Sequence, residues 1–434
     1  MRSLKGEVFE PPIPKRLLKI AHEIRAAGGR AFLVGGFVRD CLLGQADSRD
    51  YDVEVYGVTQ DVLAEILSKF GRVNAVGKAF GVFHLATCGL SLDFSFPRTE
   101  SKIGAGHRGF LVETHTDLSF KEAAYRRDFT VNAMGMELPD LELCDPYGGR
   151  SDLEQGILRH VGPAFAEDPL RVLRGVQFAA RFSLRLAPET AELCSTLPLS
   201  ELSRERILEE FKKWLLKPGR PSLGLKAFLE IGLEKTFPEV KPLEGPGGAS
   251  FGLLGEFLDR VHKNSEGLAD LEREILMFSA LLFGATGEES AAFLERITNE
   301  AQILQGVPRL VQNALKISPV AELPAASCLR RLSLSLGGLS LHVALLAADP
   351  RFDQKPLSAF VAVLKAKALD LGVYDCAPKP FLTGKFLLGH GIGQGPEVGK
   401  IIRESFELQL DGALKSVQDA EAWALERLKS LTST

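Results

Sequence analysis

The sequence predicts an α+β head followed by an all-α remainder, and three observations carry that fold class. Strand-like alternation and Gly-rich turns crowd into residues 1–150. From Ser151 onward the apolar residues recur at i, i+3 and i+4 instead. The chain has 434 residues, 45% of them hydrophobic, enough for two to four domains at about 100–200 residues each.

The head reads in order. Residues 15–28 place Leu17, Leu18, Ile20, Ala21 and Ile24 at helical spacing, and Gly28-Gly29 stops them. The run Ala31-Phe32-Leu33-Val34 then meets Gly35-Gly36, which predicts strand, tight turn and helix. DYDVEVYGV alternates like a strand, and Thr59–Phe70 reads as helix. Further strands are predicted around Arg72–Val76, Val82–Thr87, Leu90–Phe96 and Phe129–Glu137. The stretch from Arg98 to Leu118, rich in Gly and polar groups, reads as a loop of about twenty residues.

The helical remainder includes DPLRVLRGVQFAARF, SRERILEEFKKWLL, LKAFLEIGL, LEREILMFSALLF and PLSAFVAVLKAKALDLG. Breaks at Lys217–Pro221, Leu243–Gly248 and Cys376–Pro380 are candidate joints, and no fixed-period repeat supports a solenoid. The expected division is a head at 1–150, a helical neck at 151–220, a helical body at 221–325 and a helical tail at 326–434.

Charge excludes one class of partner. With 52 Lys+Arg against 56 Asp+Glu the net charge is −4, so a polybasic coat for nucleic acid is absent, although a local basic groove is not excluded. Residues 1–230 carry 31 basic and 31 acidic side chains, and residues 231–434 carry 21 and 25. The acidic excess is therefore C-terminal. Six cysteines without a C-x-x-C pair, no apolar signal segment and no apolar run near the ~18 residues of a membrane span predict a soluble protein of a reducing cytoplasm.

Two constellations carry chemistry. Gly35 and Gly36 after a strand let backbone approach a ligand, and the following helix aims free N–H groups at it. Phosphate is the expected guest, with Arg39 adding a forked charge. The spacing is neither G-x-G-x-x-G nor that of a Walker A loop. Asp50 and Asp52 sit two apart in a strand, so both carboxylates share a face, and like charges that close call for a cation. Hard oxygen ligands suit Mg²⁺. Asp93, a third strand carboxylate, is placed either to complete a two-metal site or to accept the proton of an attacking hydroxyl. Taken alone, an Asp-x-Asp pair is an ordinary solvated strand face; the Gly-Gly turn with Arg39 upstream favours the metal reading.

Together these residues resemble the class II tRNA nucleotidyltransferases and bacterial poly(A) polymerases of the polymerase-β-like nucleotidyltransferase superfamily. LVGGFVRDCLLG with Asp50-Tyr51-Asp52 resembles the family's metal and triphosphate motif. Tyr125 to Met134, which includes Arg126, Arg127, Asp128 and Asn132, resembles its ribose and triphosphate motif. DPYGG with Asp152-Leu153 looks like the hinge after the head. EDPLRVLR resembles the motif whose Asp and Arg read the incoming base, which places Asp168, Arg171 and Arg174 on one helix face. LSRERI with Glu210-Phe211 resembles the helical motif after it. The five run in family order over residues 33–211. The sequence departs at Gln177, where the family often carries a basic residue.

The resemblance implies an enzyme that adds CMP, CMP and AMP to the 3′ end of tRNA from CTP and ATP, with two Mg²⁺ ions at Asp50 and Asp52. The tRNA 3′-hydroxyl is deprotonated with help from Asp93 or from metal-bound hydroxide. The side chains of Asp168 and Arg171 select C and A by hydrogen bonds to the base edge, because buried polar groups reject a base that leaves them unpaired. The long loop, including His107, implies the element that switches from C to A addition and argues against CC-only addition. A-only addition stays open. A poly(A) polymerase is disfavoured by the acidic C-terminal half, and an inactive RNA-binding relative by the presence of every expected carboxylate. Phe283-Gly284 stands where many relatives carry the His-Asp pair of a phosphohydrolase, so no such activity is expected. Lys385, Lys400 and Arg403 in the tail are expected to contact the tRNA acceptor arm or elbow.

Overall fold

The computed structural model describes residues 11–45, 50–75, 82–87, 90–102, 110–114, 118–217, 219–390, 392 and 394–432. The chain divides into two compact units: Met1–Trp214 with Leu223–Leu233, and Leu215–Ser222 with Glu234–Thr434.

The first unit begins with α1 (Lys15–Ala26), whose Leu17, Ile20, Ala21 and Ile24 are buried as their spacing demands. Then follow β1 (Arg30–Val34), α2 (Gly36–Leu42), β2 (Asp50–Tyr56), α3 (Gln60–Ser68), β3 (Arg72–Ala75), β4 (Val82–Thr87), β5 (Leu90–Ser95), β6 (Arg98–Lys102), β7 (Phe110–Thr114), α4 (Phe120–Ala124), β8 (Gly135–Leu138), β9 (Glu142–Cys144) and α5 (Gly149–Glu154). Seven strands form one mixed sheet in the order β3-β4-β5-β2-β1-β8-β9. The β2–β5 pair is parallel and sets Asp52 beside Asp93. The β1–β2 and β4–β5 pairs are antiparallel.

Alternation decides the faces of this sheet. Val53 and Val55 of β2 and Leu92 and Phe94 of β5 are buried, so Asp52, Glu54, Asp93 and Ser95 lie on the opposite face. A separate cluster of Phe32, Val34, Tyr56, Phe120, Ala124 and Ala133 holds α4 to the sheet, with Phe32 stacked on Phe120 at 4.8 Å. Ser119 and Glu122 close a capping box at the start of α4.

The helical part of this unit starts with β10 (Ile157–Leu158), α6 (Leu170–Phe182) and β11 (Arg185–Leu186), where β10 and β11 pair in parallel around the helix. It continues with α7 (Pro188–Thr196), α8 (Arg204–Leu216) and α9 (Pro221–Ile231). The α6 helix buries Val172, Leu173, Val176, Ala179 and Ala180 and leaves a basic edge.

The second unit opens with the hairpin β12 (Leu243–Gly245) and β13 (Gly248–Ser250). Its helices are α10 (Phe251–Asn264), α11 (Asp270–Leu281), α12 (Gly287–Ile297), α13 (Ala301–Asn313), α14 (Ala326–Leu336), α15 (Ser340–Ala347), α16 (Gln354–Asp370), α17 (Gly384–Gly389), α18 (Pro396–Asp411) and α19 (Val417–Thr432). Ile317, Leu329, Leu339, Leu357 and Leu364 anchor one of its apolar clusters, and Leu387, Ile401, Ala420 and Ala424 another. Phe283 packs edge-on to Phe257 at 4.9 Å. No helix among the described residues is long and apolar enough to cross a membrane.

Four expectations need correction. The predicted strand Phe129–Glu137 is a 3-10 turn at Thr130–Asn132 followed by the shorter β8, because the amide of Asn132 bonds the carbonyl of Phe129 and bends the chain. The predicted loop from Arg98 to Leu118 contains the antiparallel pair β6–β7; His107 lies outside the described residues. The remainder after Ser151 is not wholly helical, since β10–β11 and β12–β13 interrupt it. The Gly-Pro-Gly-Gly break at 245–248 is the turn of that second hairpin. Finally, Asp168 does not share a helix face with Arg171 and Arg174. It stands in extended conformation before α6, and its Oδ1 accepts from the Leu170 amide at 3.1 Å.

Candidate active site

The site is built where β1 ends. Gly35 adopts φ +73° and ψ −144°, a combination open in practice only to glycine. The turn passes beneath a carboxylate: a Cβ on Gly35 would stand 3.8 Å from Asp52 Oδ2. The helix that follows, α2, has only seven residues, so its dipole is a modest contributor and most of the positive field must come from side chains.

Those side chains line a cavity of about 670 Å³ in the first unit, a size usual for small-ligand sites. The turn after β1 contributes Gly35 and Gly36, the sheet Asp52, Glu54 and Ser95, and the turn after α4 Arg127, Asp128 and Asn132. Arg39 comes from α2, Arg171, Arg174, Gln177 and Arg181 from α6, and Arg206 and Lys213 from α8, with Asp168 at the mouth of α6. Seven cations thus face four carboxylates. This is a local basic groove inside a chain of net charge −4.

Hydrogen bonds order the groove around Asp128. Its Oδ1 accepts from the Phe129 amide at 2.7 Å and from Asn132 Nδ2 at 3.0 Å. Its Oδ2 accepts from Arg174 Nε at 2.8 Å and pairs with Arg174 Nη2 at 2.6 Å. Burial alone opposes the charge on Asp128, but Arg174, Asn132 and the Phe129 amide outweigh it and hold the carboxyl below its ordinary range. The Asn132 Oδ1 in turn accepts from Arg39 Nη1. Arg39 is 4% exposed, bonds Asp40 through Nε at 2.9 Å and lies 3.9 Å from the Phe182 ring centroid. Burial lowers the affinity of its guanidinium for the proton, partly offset by Asp40.

Arg127 reaches Glu54 at 3.1 Å and the Asn132 carbonyl at 3.1 Å. Arg171 spends its fork on backbone, donating at 2.7 Å to the carbonyls of Ala164 and Arg126. In this structure Arg171 therefore braces the chain beside the cavity. Arg206 donates to Asp168 Oδ2 at 2.9 Å. Gln177 is 1% exposed, and its Oε1 meets no protein donor.

Ten of the thirteen residues singled out from sequence line this cavity: Gly35, Gly36, Arg39, Asp52, Arg127, Asp128, Asn132, Asp168, Arg171 and Arg174. Arg126 does not line it, and its guanidinium lies 3.8 Å from Glu167. Asp93 sits beside Asp52 in register, with Ser95 of the same strand face in the lining. Asp50 opens β2 opposite Ser91, but its side chain lies outside those described. Sequence reasoning missed Glu54, Ser95, Arg181, Arg206 and Lys213. Glu54 was within reach of the strand period that flagged Asp52. Arg206 falls within the LSRERI motif but was given no role of its own, and Lys213 carries no local signal; the packing of α8 brings both here.

Comparison with known proteins places this arrangement. Residues 31–159 match the family described as the poly A polymerase head domain. Among curated relatives, the multifunctional CCA protein of Xanthomonas campestris pv. campestris (strain B100) is 40% identical over 224 residues, covering 50% of this chain and 52% of that protein. The multifunctional CCA protein of Pasteurella multocida is 42% identical over 225 residues, covering 50% and 51%. The chain thus spans about half the length of the curated relatives it matches. Among solved structures, the Bacillus stearothermophilus CCA-adding enzyme in complex with CTP superposes with a TM-score of 0.68 at 22% identity, covering 98% of this chain and 100% of that one. The Thermotoga maritima CCA-adding enzyme complexed with tRNA gives 0.60 at 21% identity, with 98% of each covered. The chain has the fold of these enzymes.

Proposed function

We propose that this protein is a tRNA nucleotidyltransferase that builds CCA on the 3′ end of tRNA from CTP and ATP without a nucleic-acid template. The observation that carries the reading is the convergence, in one basic cavity, of the Gly35-Gly36 turn, Asp52 and the arginines of α6. Relatives named multifunctional CCA protein, and solved CCA-adding enzymes bound to CTP and to tRNA, support it.

The chemistry is a displacement at phosphorus. The 3′-hydroxyl oxygen of the acceptor bonds the α-phosphorus and its proton passes to Asp93, while the bond to the bridging oxygen breaks and pyrophosphate leaves. Arg174 and Arg181 of α6 and the cations of α8 neutralise the triphosphate, and Asp128 with Asn132 forms a polar shelf for the ribose. The donor set fits Mg²⁺: Asp52 presents hard oxygens beside the glycine turn, and Asp50 precedes it by two residues on the same strand. Bound there, Mg²⁺ would offset charge on the attacking and leaving oxygens. The division into head, neck, body and tail, and contact of Lys385, Lys400 and Arg403 with the acceptor arm, belong to the same proposal.

Asp52→Asn tests it, with Asp50→Asn alongside. Transcripts ending before CCA, after C and after CC are offered labelled CTP or ATP. The wild type should complete CCA on all three, and each variant should lose at least roughly 100-fold in rate while its circular dichroism stays unchanged. Extension of the CC-ended transcript alone identifies an A-adding enzyme. Near-normal turnover by Asp52→Asn removes the assignment.

A further inference from the structure

Three polar side chains stand in a row across the head sheet. In the parallel β2–β5 pair Asp52 is opposite Asp93, and in the antiparallel β4–β5 pair Asp93 is opposite His84. Neighbouring strands lie about 4.8 Å apart, and residues in direct register share a face. The row is therefore set by backbone register and needs no adjustment of loops. His84 Nδ1 lies 2.6 Å from Asp93 Oδ1. Asp93 Oδ2 meets no protein donor among the described residues, so the two oxygens of this carboxylate are inequivalent.

Stability does not account for this contact. The side chains of His84 and Asp93 are 34% and 47% exposed, and exposed pairs contribute about 0–1 kcal/mol. The contact does decide which way the carboxylate points. With Oδ1 tied to the imidazole, χ rotation of Asp93 is restricted, and Oδ2 is the oxygen left for an incoming hydroxyl. An unrestrained Asp93 beside Asp52 would swing away from its like-charged neighbour.

We propose that His84 is a positioning residue for the transfer reaction: its Nδ1–H holds Asp93 so that Oδ2 receives the proton of the attacking 3′-hydroxyl. The inference rests on the reading of Asp93 as proton acceptor. His84 touches neither nucleotide nor acceptor in this role and acts only through Asp93. Its contribution should therefore appear in kcat and leave nucleotide affinity alone.

Steady-state CMP addition to a transcript lacking CCA tests this with four variants: His84→Ala, His84→Asn, Asp93→Asn and the double variant His84→Ala/Asp93→Asn. A misplaced catalytic group costs up to about 100-fold, so His84→Ala should lower kcat roughly 10- to 100-fold with KM for CTP within about twofold. His84→Asn, whose amide keeps a donor near the Nδ1 position, should recover most of the loss. In the Asp93→Asn background His84→Ala should add nothing. Circular dichroism and CTP binding by titration calorimetry check that His84→Ala folds and holds nucleotide. A near-wild-type kcat for His84→Ala beside a disabled Asp93→Asn overturns this inference alone. A fully active Asp93→Asn overturns the proton-acceptor reading and the role of His84 with it.

Discussion

Asp128→Ala is the most demanding single perturbation of the site. The carboxylate accepts four hydrogen bonds, two from Arg174 and one each from Asn132 Nδ2 and the Phe129 amide. Removing one partner of a buried ion pair leaves an uncompensated charge, at about 3–5 kcal/mol. The Arg174 side chain is 32% exposed, so water recovers part of that loss and the expected cost is about 3 kcal/mol. Arg174→Ala leaves Asp128 with two donors and should cost about 2 kcal/mol. Because both changes break one contact, the double variant should lose little more than Asp128→Ala alone, a coupling of about 1.5 kcal/mol or more. Urea unfolding followed by Trp214 emission reads this in the first unit, in a Trp423→Phe background that silences the other tryptophan. A cost under about 0.5 kcal/mol for Asp128→Ala, or strict additivity, would falsify the account of Asp128 as the hub.

Two further outcomes follow from single groups. Gly35→Ala forces a Cβ into φ +73° and ψ −144°, which should lower stability by about 1–3 kcal/mol in thermal melts. It should also weaken CTP binding, since the turn lies against Asp52; an unchanged melting curve contradicts the strained-turn assignment. In the second unit His342 is buried, donates through Nε2 to the Asn313 carbonyl at 3.1 Å and has an Nδ1 without a protein partner. Burial pushes its pKa down to about 4. The unfolded chain therefore binds the proton first: this contribution is intact above about pH 6.5 and lost as pH falls towards 4, on the order of 3 kcal/mol in all. His342→Gln should flatten the stability profile between pH 6.5 and 4, measured by urea midpoints; a slope equal to wild type refutes it.

The sequence by itself determined the class of the head, because its signals are local. The Gly-Gly turn after a strand, the Asp-x-Asp alternation of β2 and the arginine spacing of α6 each depend only on backbone period and near neighbours. Ten of the residues that line the cavity were marked in the sequence, with Arg127, Asp128 and Asn132 marked through the family resemblance of their motif. Three features were not. The 3-10 turn at Thr130–Asn132 overrides a strand-like run because Asp128 and Arg39 engage Asn132 from outside the segment. Asp168 leaves the helix face because its carboxylate caps the Leu170 amide and receives Arg206 from 38 residues away. The row from Asp52 through Asp93 to His84 joins three strands whose register no local pattern encodes. Sequence period says which face a side chain takes, and only tertiary pairing says which side chain stands next to it. The net charge of −4 conceals the basic groove for the same reason: folding concentrates seven cations on one cavity, and a sum over the chain carries no positions.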